Sequence, residues 1–157
     1  MTKYVTIEQI QYPVYADRND ANIYNNAIVG SSWNTLDEKT QNQYLVMSTR
    51  KIDSYNYCGS KVSETQELKF PRVMSNGKTS DDEVLINLCC QIATYYLTNG
   101  TSSDNAGELL SQLKEVKVGD FQVNLKDDAK IDLSGLDDFI EDALSDWLIS
   151  NSMQIWL

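Results

Sequence analysis

With 157 residues, 13 basic and 23 acidic side chains and no histidine, this chain has the size of one domain with a modest core and carries a net charge of −10. Three cysteines, two of them adjacent at Cys89 and Cys90, exclude a disulfide framework, and with no CxxC pair or histidine they exclude a zinc site. Apolar runs of only a few residues predict neither a signal peptide nor a membrane span.

Residues 1–19 are rich in aromatic and β-branched side chains but interrupted by Pro13, which predicts an extended N-terminal arm or edge strand. A helical bundle is expected over 20–112. Its first helix fits Ala21 to Val29, with Asp20 as N-cap, Ile23, Ala27 and Ile28 on one face, and Gly30 past the end. Thr35 followed by Glu38 reads as a capping box opening a helix to about Tyr55, with Tyr44, Leu45, Ser48, Ile52 and Tyr55 on its apolar face. Ser80 and Glu83 repeat that box ahead of the most apolar helix, which runs to Asn99-Gly100 and should form the centre of the core.

Residues 101–107 lack periodicity and predict a loop. The period then changes to alternation on either side of Gly119-Asp120, and a β-hairpin is expected over 113–126. Because a lone hairpin is marginal in water, it should lean on the bundle or on another chain. A C-terminal helix is expected over 134–149, with Leu136, Phe139, Ile140, Ala143, Leu144, Trp147 and Leu148 as its apolar face. The tail, 150–157, ends in strongly apolar residues. The fold class is therefore mainly α within an α+β domain: a small bundle of about four helices, a hairpin and extended terminal arms.

Catalytic equipment is not evident. Without histidine the commonest general base and the usual partner of a Ser or Cys nucleophile are missing, and no SxxK signature replaces them. Cys89 and Cys90 sit in a helical apolar stripe and read as core. Asp127, Asp128 and Asp132 lack EF-hand spacing, and Asn76-Gly77-Lys78-Thr79 lacks the upstream glycine of a P-loop. No metal or cofactor is expected, and the chain is not expected to be an enzyme. Residues 101–157 hold 12 acidic and 4 basic side chains, a distribution that repels phosphate and argues against tight DNA binding by the monomer. The best candidate for single-strand binding is Tyr55, Tyr57, Lys61, Lys69 and Arg72, interrupted by Glu64 and Glu67. Arg72 is expected to pair with a carboxylate such as Asp53.

The run Gln66-Glu67-Leu68-Lys69-Phe70-Pro71-Arg72 predicts an extended brace, because proline fixes its own φ and keeps Phe70 out of the helical region. Taken with Trp33, Leu36, Ile52-Asp53, Gly59 and Lys117-Val118-Gly119-Asp120, it resembles a family of tailed-phage proteins labelled DnaT-like single-stranded-DNA-binding proteins. The family looks like the head–tail connector, or adaptor, group. The resemblance spans roughly residues 20 to 148, and its motif residues are Trp33, Asp53, Gly59, Gln66, Leu68, Phe70, Pro71 and Arg72. Family members commonly carry a tryptophan where this chain has Phe70, and an alanine-rich stretch where it has Gln43 to Met47.

The resemblance implies a virion protein at the head–tail interface, made in the host cytoplasm, that docks on the portal protein after DNA packaging and receives tail or other connector proteins. It implies a homo-oligomeric ring of about twelve copies, through which double-stranded DNA passes without tight binding and with no membrane contact. The partner-binding segments implied are the hairpin, at Val118, Gly119, Asp120 and Phe121, and the apolar tail, at Met153, Ile155, Trp156 and Leu157. The alternative is a single-stranded-DNA-binding replication accessory protein.

Overall fold

In the computed structural model, which describes residues 2–99 and 134–149, the N-terminal run folds back on itself. Strand β1 (Lys3–Ile7) pairs antiparallel with β2 (Ile10–Val14), Ile7 opposite Ile10 and Lys3 opposite Val14. The turn between them is made by Glu8 and Gln9, both at positive φ, 50° and 72°, the backbone of a primed two-residue hairpin turn. The expected arm is thus a hairpin. It was hidden because this turn uses neither glycine nor asparagine. Pro13 is tolerated opposite Tyr4, at a position where the ladder asks for no N–H. The hairpin packs Val5, Val14 and Tyr15 into the core.

Helix α1 (Arg18–Asn26) begins one turn earlier than expected. Its cap is Asp17, whose carboxylate accepts from the Asp20 N–H at 2.9 Å while the Asp20 carboxylate accepts from the Asp17 N–H at 3.0 Å. The face expected to be apolar is turned outward: Ile23 is 63 % exposed, whereas Ala21 and Asn25 are buried. Asn25 is tolerated there because its amide donates to Ala21 O and its Oδ1 accepts from Ser31 and Thr94.

Trp33–Thr35 form a 3-10 turn, so Thr35 is not a cap. Asp37 takes that role, accepting from the Thr40 N–H at 2.9 Å, and opens α2 (Glu38–Asp53). Helix α3 (Asp82–Asn99) is entered through Asp81, which accepts from the Glu83 N–H. Ser80, expected as its cap, instead accepts from the Arg72 N–H at 2.9 Å. Between α2 and α3 lies a second small antiparallel ladder, β3 (Ser60–Lys61) with β4 (Arg72–Val73).

The last helix, α4 (Ser134–Leu144), is shorter than expected. Residues 145–147 turn, and Leu148 forms an antiparallel bridge with Tyr57. Ala143, placed on the apolar face by its spacing, is exposed, while Leu136, Ile140, Leu144 and Trp147 are buried.

These four helices and two small ladders make an α+β domain, as the periodicity predicts. Its core is built on α2 and α3, where Leu45, Ile52, Leu88, Ile92, Cys89 and Cys90 are essentially inaccessible. Each fully buried Leu or Ile contributes about 1.5–3 kcal/mol. Among the described residues no helix is long and apolar enough to cross a membrane. The hairpin over 113–126, the loop over 101–107 and the tail over 150–157 lie outside the described residues.

Candidate functional site

Seven of the eight motif residues converge on the connection between α2 and α3. Phe70 is its centre. The ring is 2 % exposed and lies edge-on to three aromatic neighbours: Tyr57 at 4.6 Å, Trp147 at 5.9 Å and Tyr15 at 6.3 Å between centroids. The Phe70–Pro71 peptide bond is cis. Leu68 is buried beside it, and Gln66 holds the bend by donating from Nε2 to the carbonyl oxygens of Leu68 and Pro71, both at 2.9 Å.

Arg72 does not pair with Asp53. Its guanidinium donates to four backbone carbonyls: Cys58 at 2.9 Å, Gly59 at 2.8 Å, Lys69 at 3.1 Å and Tyr57 at 3.3 Å. The planar fork of donors suits such a cluster, which a lysine could not reproduce. Gly59 lies at φ +77°, and a Cβ there would come within 2.7 Å of Val73 O and 3.5 Å of the Trp147 ring. The β3–β4 ladder therefore closes only because this position has no side chain.

Asp53 serves the opposite edge of the knot. It accepts a short hydrogen bond from the Tyr15 hydroxyl and another from the Lys69 N–H at 3.2 Å, while Tyr15 Oη accepts from the Phe70 N–H at 3.0 Å. Burial raises the Asp53 carboxyl above its ordinary range, and the hydrogen bonds from Tyr15 and Lys69 only partly offset that. The Tyr15 phenol is pushed upward by burial first and by the neighbouring Asp53 charge second.

Trp33, the eighth motif residue, lies apart from the knot. Fully buried, it donates from Nε1 to Asn22 Oδ1 at 2.9 Å and accepts at its carbonyl from Gln41, so it ties α1 to the start of α2. The expected partner-binding residues Val118, Gly119, Asp120, Phe121, Met153, Ile155, Trp156 and Leu157 lie outside the described residues.

Tyr15, Tyr57 and Trp147 complete the knot although none of them belongs to its sequence motif. Each is an aromatic residue near an element end, the only signal available. The last segment is latched to the knot by the Cys58 N–H donating to Trp147 O at 2.8 Å and the Ile149 N–H donating to Asn56 O at 3.2 Å. A cleft of about 230 Å³ opens beside it, walled by Val14, Tyr15, Leu68, Phe70, Pro71 and Leu85 among others.

The constellation expected for single-strand stacking is spent internally. Tyr57 is buried with its hydroxyl on Ile52 O, Tyr55 donates a short hydrogen bond to Asp137, and Lys69 Nζ donates to Tyr55 O at 2.6 Å. Every Lys and Arg among the described residues has a partner. Lys3, Arg18, Lys39, Lys51 and Lys78 pair with Asp20, Glu38, Glu8, Asp137 and Asp146. Arg50 lies over the Tyr12 ring and Lys61 donates to Gln66 O. The Asn76–Thr79 run is a turn whose Lys78 goes to Asp146. Among the described residues no group of three His, Cys, Asp or Glu could hold a metal ion.

No curated protein and no solved structure matches the chain. A family model described as "Putative DnaT-like ssDNA binding protein" matches residues 11–156. That match takes in the N-terminal hairpin from β2, the whole knot and the four helices of the described residues, and the chain belongs to this family.

Proposed function

We propose that this chain is a non-enzymatic structural subunit of a tailed-phage virion, a head–tail connector that docks on the portal ring after DNA packaging and offers an attachment platform for tail components. The observation that carries this reading is the use made of the cations. All nine Lys and Arg of the described residues are turned onto carboxylates, carbonyls or a ring, and the chain keeps a net charge of −10. Nucleic-acid affinity rests on unpaired clusters of such groups. A surface of this kind lets DNA pass without holding it. The motif residues act as a brace between helices, a role that suits a rigid ring subunit better than a stacking groove.

A second reading has its own support. The family's description speaks for single-stranded-DNA binding more directly than for a connector, and ion pairs between exposed side chains are weak enough for a phosphate to compete with them. On that reading the chain is a replication accessory protein. Two experiments separate the readings. Particles assembled without the protein should lose packaged DNA or fail to join tails; normal particles overturn the connector role. Fluorescence anisotropy with a single-stranded oligonucleotide should show weak or no binding at about 0.15 M salt. Submicromolar affinity with a steep salt slope establishes the accessory role instead.

A further inference from the structure

The outer edge of β1 borders an open groove of about 410 Å³ between the hairpin and the starts of α1 and α2. The two-residue turn makes Ile7 and Ile10 the closing hydrogen-bonded pair, so Val5 and Lys3 also bond to β2. The alternate residues, Tyr4 and Thr6, then turn their N–H and C=O groups away from β2 and into the groove. The sheet has two strands, and no other described strand meets them. The other edge of the hairpin is different, since Pro13 removes one of the two N–H groups that β2 would present.

Asn42 marks where a third strand would run. The residue is 3 % exposed, lines the groove, and donates from Nδ2 to Thr6 O at 2.9 Å as the N–H of a neighbouring strand would. Its Oδ1 is buried and without a partner. A buried acceptor left unmade is costly, and this one belongs to a side chain that lines the groove and already bonds to the strand edge at Thr6 O. Asp17, Arg18 and Glu38 are the charged residues of the groove wall; Arg18 and Glu38 pair with each other at 2.8 Å, and Asp17, the cap of α1, leaves the wall with one net negative charge.

We propose that this groove is a β-augmentation site for an extended, lysine- or arginine-bearing peptide strand of a partner protein. The strand bonds to the Tyr4 N–H and C=O and the Thr6 N–H, and its next N–H donates to Asn42 Oδ1. Main-chain hydrogen bonds supply the attachment in this mode. The single net negative charge of the wall and the net charge of −10 on the chain favour a basic strand. The site goes beyond both functional readings, because either a connector or a replication accessory would use such an attachment.

The probe is a capped hexapeptide alternating lysine and threonine, titrated into the isotope-labelled full chain and followed by amide resonances. The Tyr4 and Thr6 amides and the Asn42 side-chain amide should shift together at millimolar peptide, and the Tyr4 N–H should gain protection from exchange. The same peptide N-methylated throughout keeps its charges but loses its donors, and should bind at least roughly tenfold more weakly. Tyr4→Pro removes the outward N–H at a position that β2 does not use, so binding should fall while the melting temperature holds. Equal binding of the methylated peptide, undiminished binding by a folded Tyr4→Pro variant, or no shift at these three residues overturns the proposal.

Discussion

Trp147 lies edge-on to Phe70, ring centroids 5.9 Å apart and planes at 82°, across a sequence separation that joins the last described turn to the middle of the chain. This contact fastens the segment after α4 to the brace. Trp147→Ala should therefore cost about 3–5 kcal/mol, while Trp147→Phe should cost less, because it keeps an aromatic edge against Phe70. Urea denaturation of the two variants measures the difference.

Arg72→Lys tests whether the guanidinium is needed for its shape or its charge. Lysine keeps the charge but carries its three donors on one nitrogen and cannot reach four carbonyls. At about 1 kcal/mol for each lost bond, with partial recovery by water, the loss should be about 2 kcal/mol. A chemical denaturation midpoint equal to that of the wild type would show that charge alone suffices.

Gly59 and Gly77 both have positive φ, +77° and +89°, yet they should respond differently to alanine. Both substitutions meet about 1–2 kcal/mol of left-handed backbone cost. Only at Gly59 does the new Cβ also collide with Val73 O, at 2.7 Å, whereas nothing lies within 4 Å at Gly77. Thermal unfolding should rank Gly59→Ala well below Gly77→Ala.

The Asp53 carboxyl gives a pH signature. Burial raises it above its ordinary value of 3.8, so the folded chain holds this proton more tightly than the unfolded chain. Its contribution is fully present below pH 3.8 and is lost as pH rises through the folded value. Asp53→Asn cannot ionise and lacks that loss. Urea midpoints measured from acid to neutral pH should show the variant gaining on the wild type as pH rises. A gap that does not change with pH would contradict the assignment.

Thiol reactivity should divide the three cysteines. Burial pushes Cys89 up to about 11 and raises Cys90 as well, and both are inaccessible, so neither offers a thiolate to a reagent. Cys58 is partly exposed, its thiol donating to Trp147 O at 3.2 Å. Alkylation of the native chain followed by mass spectrometry should modify Cys58 alone, and denaturation should release the other two.

What could be read ahead of the structure depended on periodicity. The α2 and α3 stripes repeat over several turns, and Leu45, Ile52, Leu88 and Ile92 are buried as their spacing requires. Caps were less legible, because Asp17, Asp37 and Asp81 stand within three residues of other plausible caps and only the backbone path selects among them. The hairpin at Glu8-Gln9 was hidden by its composition. Within the candidate site, Phe70, Pro71 and Arg72 stood out as a motif, but the partners of Arg72 are carbonyl oxygens, which every residue has and no sequence pattern marks. Tyr15 and Trp147 reach Phe70 from distant positions, and a single sequence does not encode such pairings in any local pattern.

The latch between Asn56–Cys58 and Trp147–Ile149 also sets an order of events during synthesis. Phe70 and Arg72 leave the ribosome long before Trp147 does, and the bonds from Cys58 N–H to Trp147 O and from Ile149 N–H to Asn56 O join residues 89 and 93 positions apart. Until the last of them emerges, the aromatic wall beside Phe70 is missing one side, and closing so long a loop carries an entropic cost that only the finished contact offsets. A chain that stops before Trp147 lacks this contact and leaves Phe70 open on one side, so protease should cleave it faster than a chain that carries the latch.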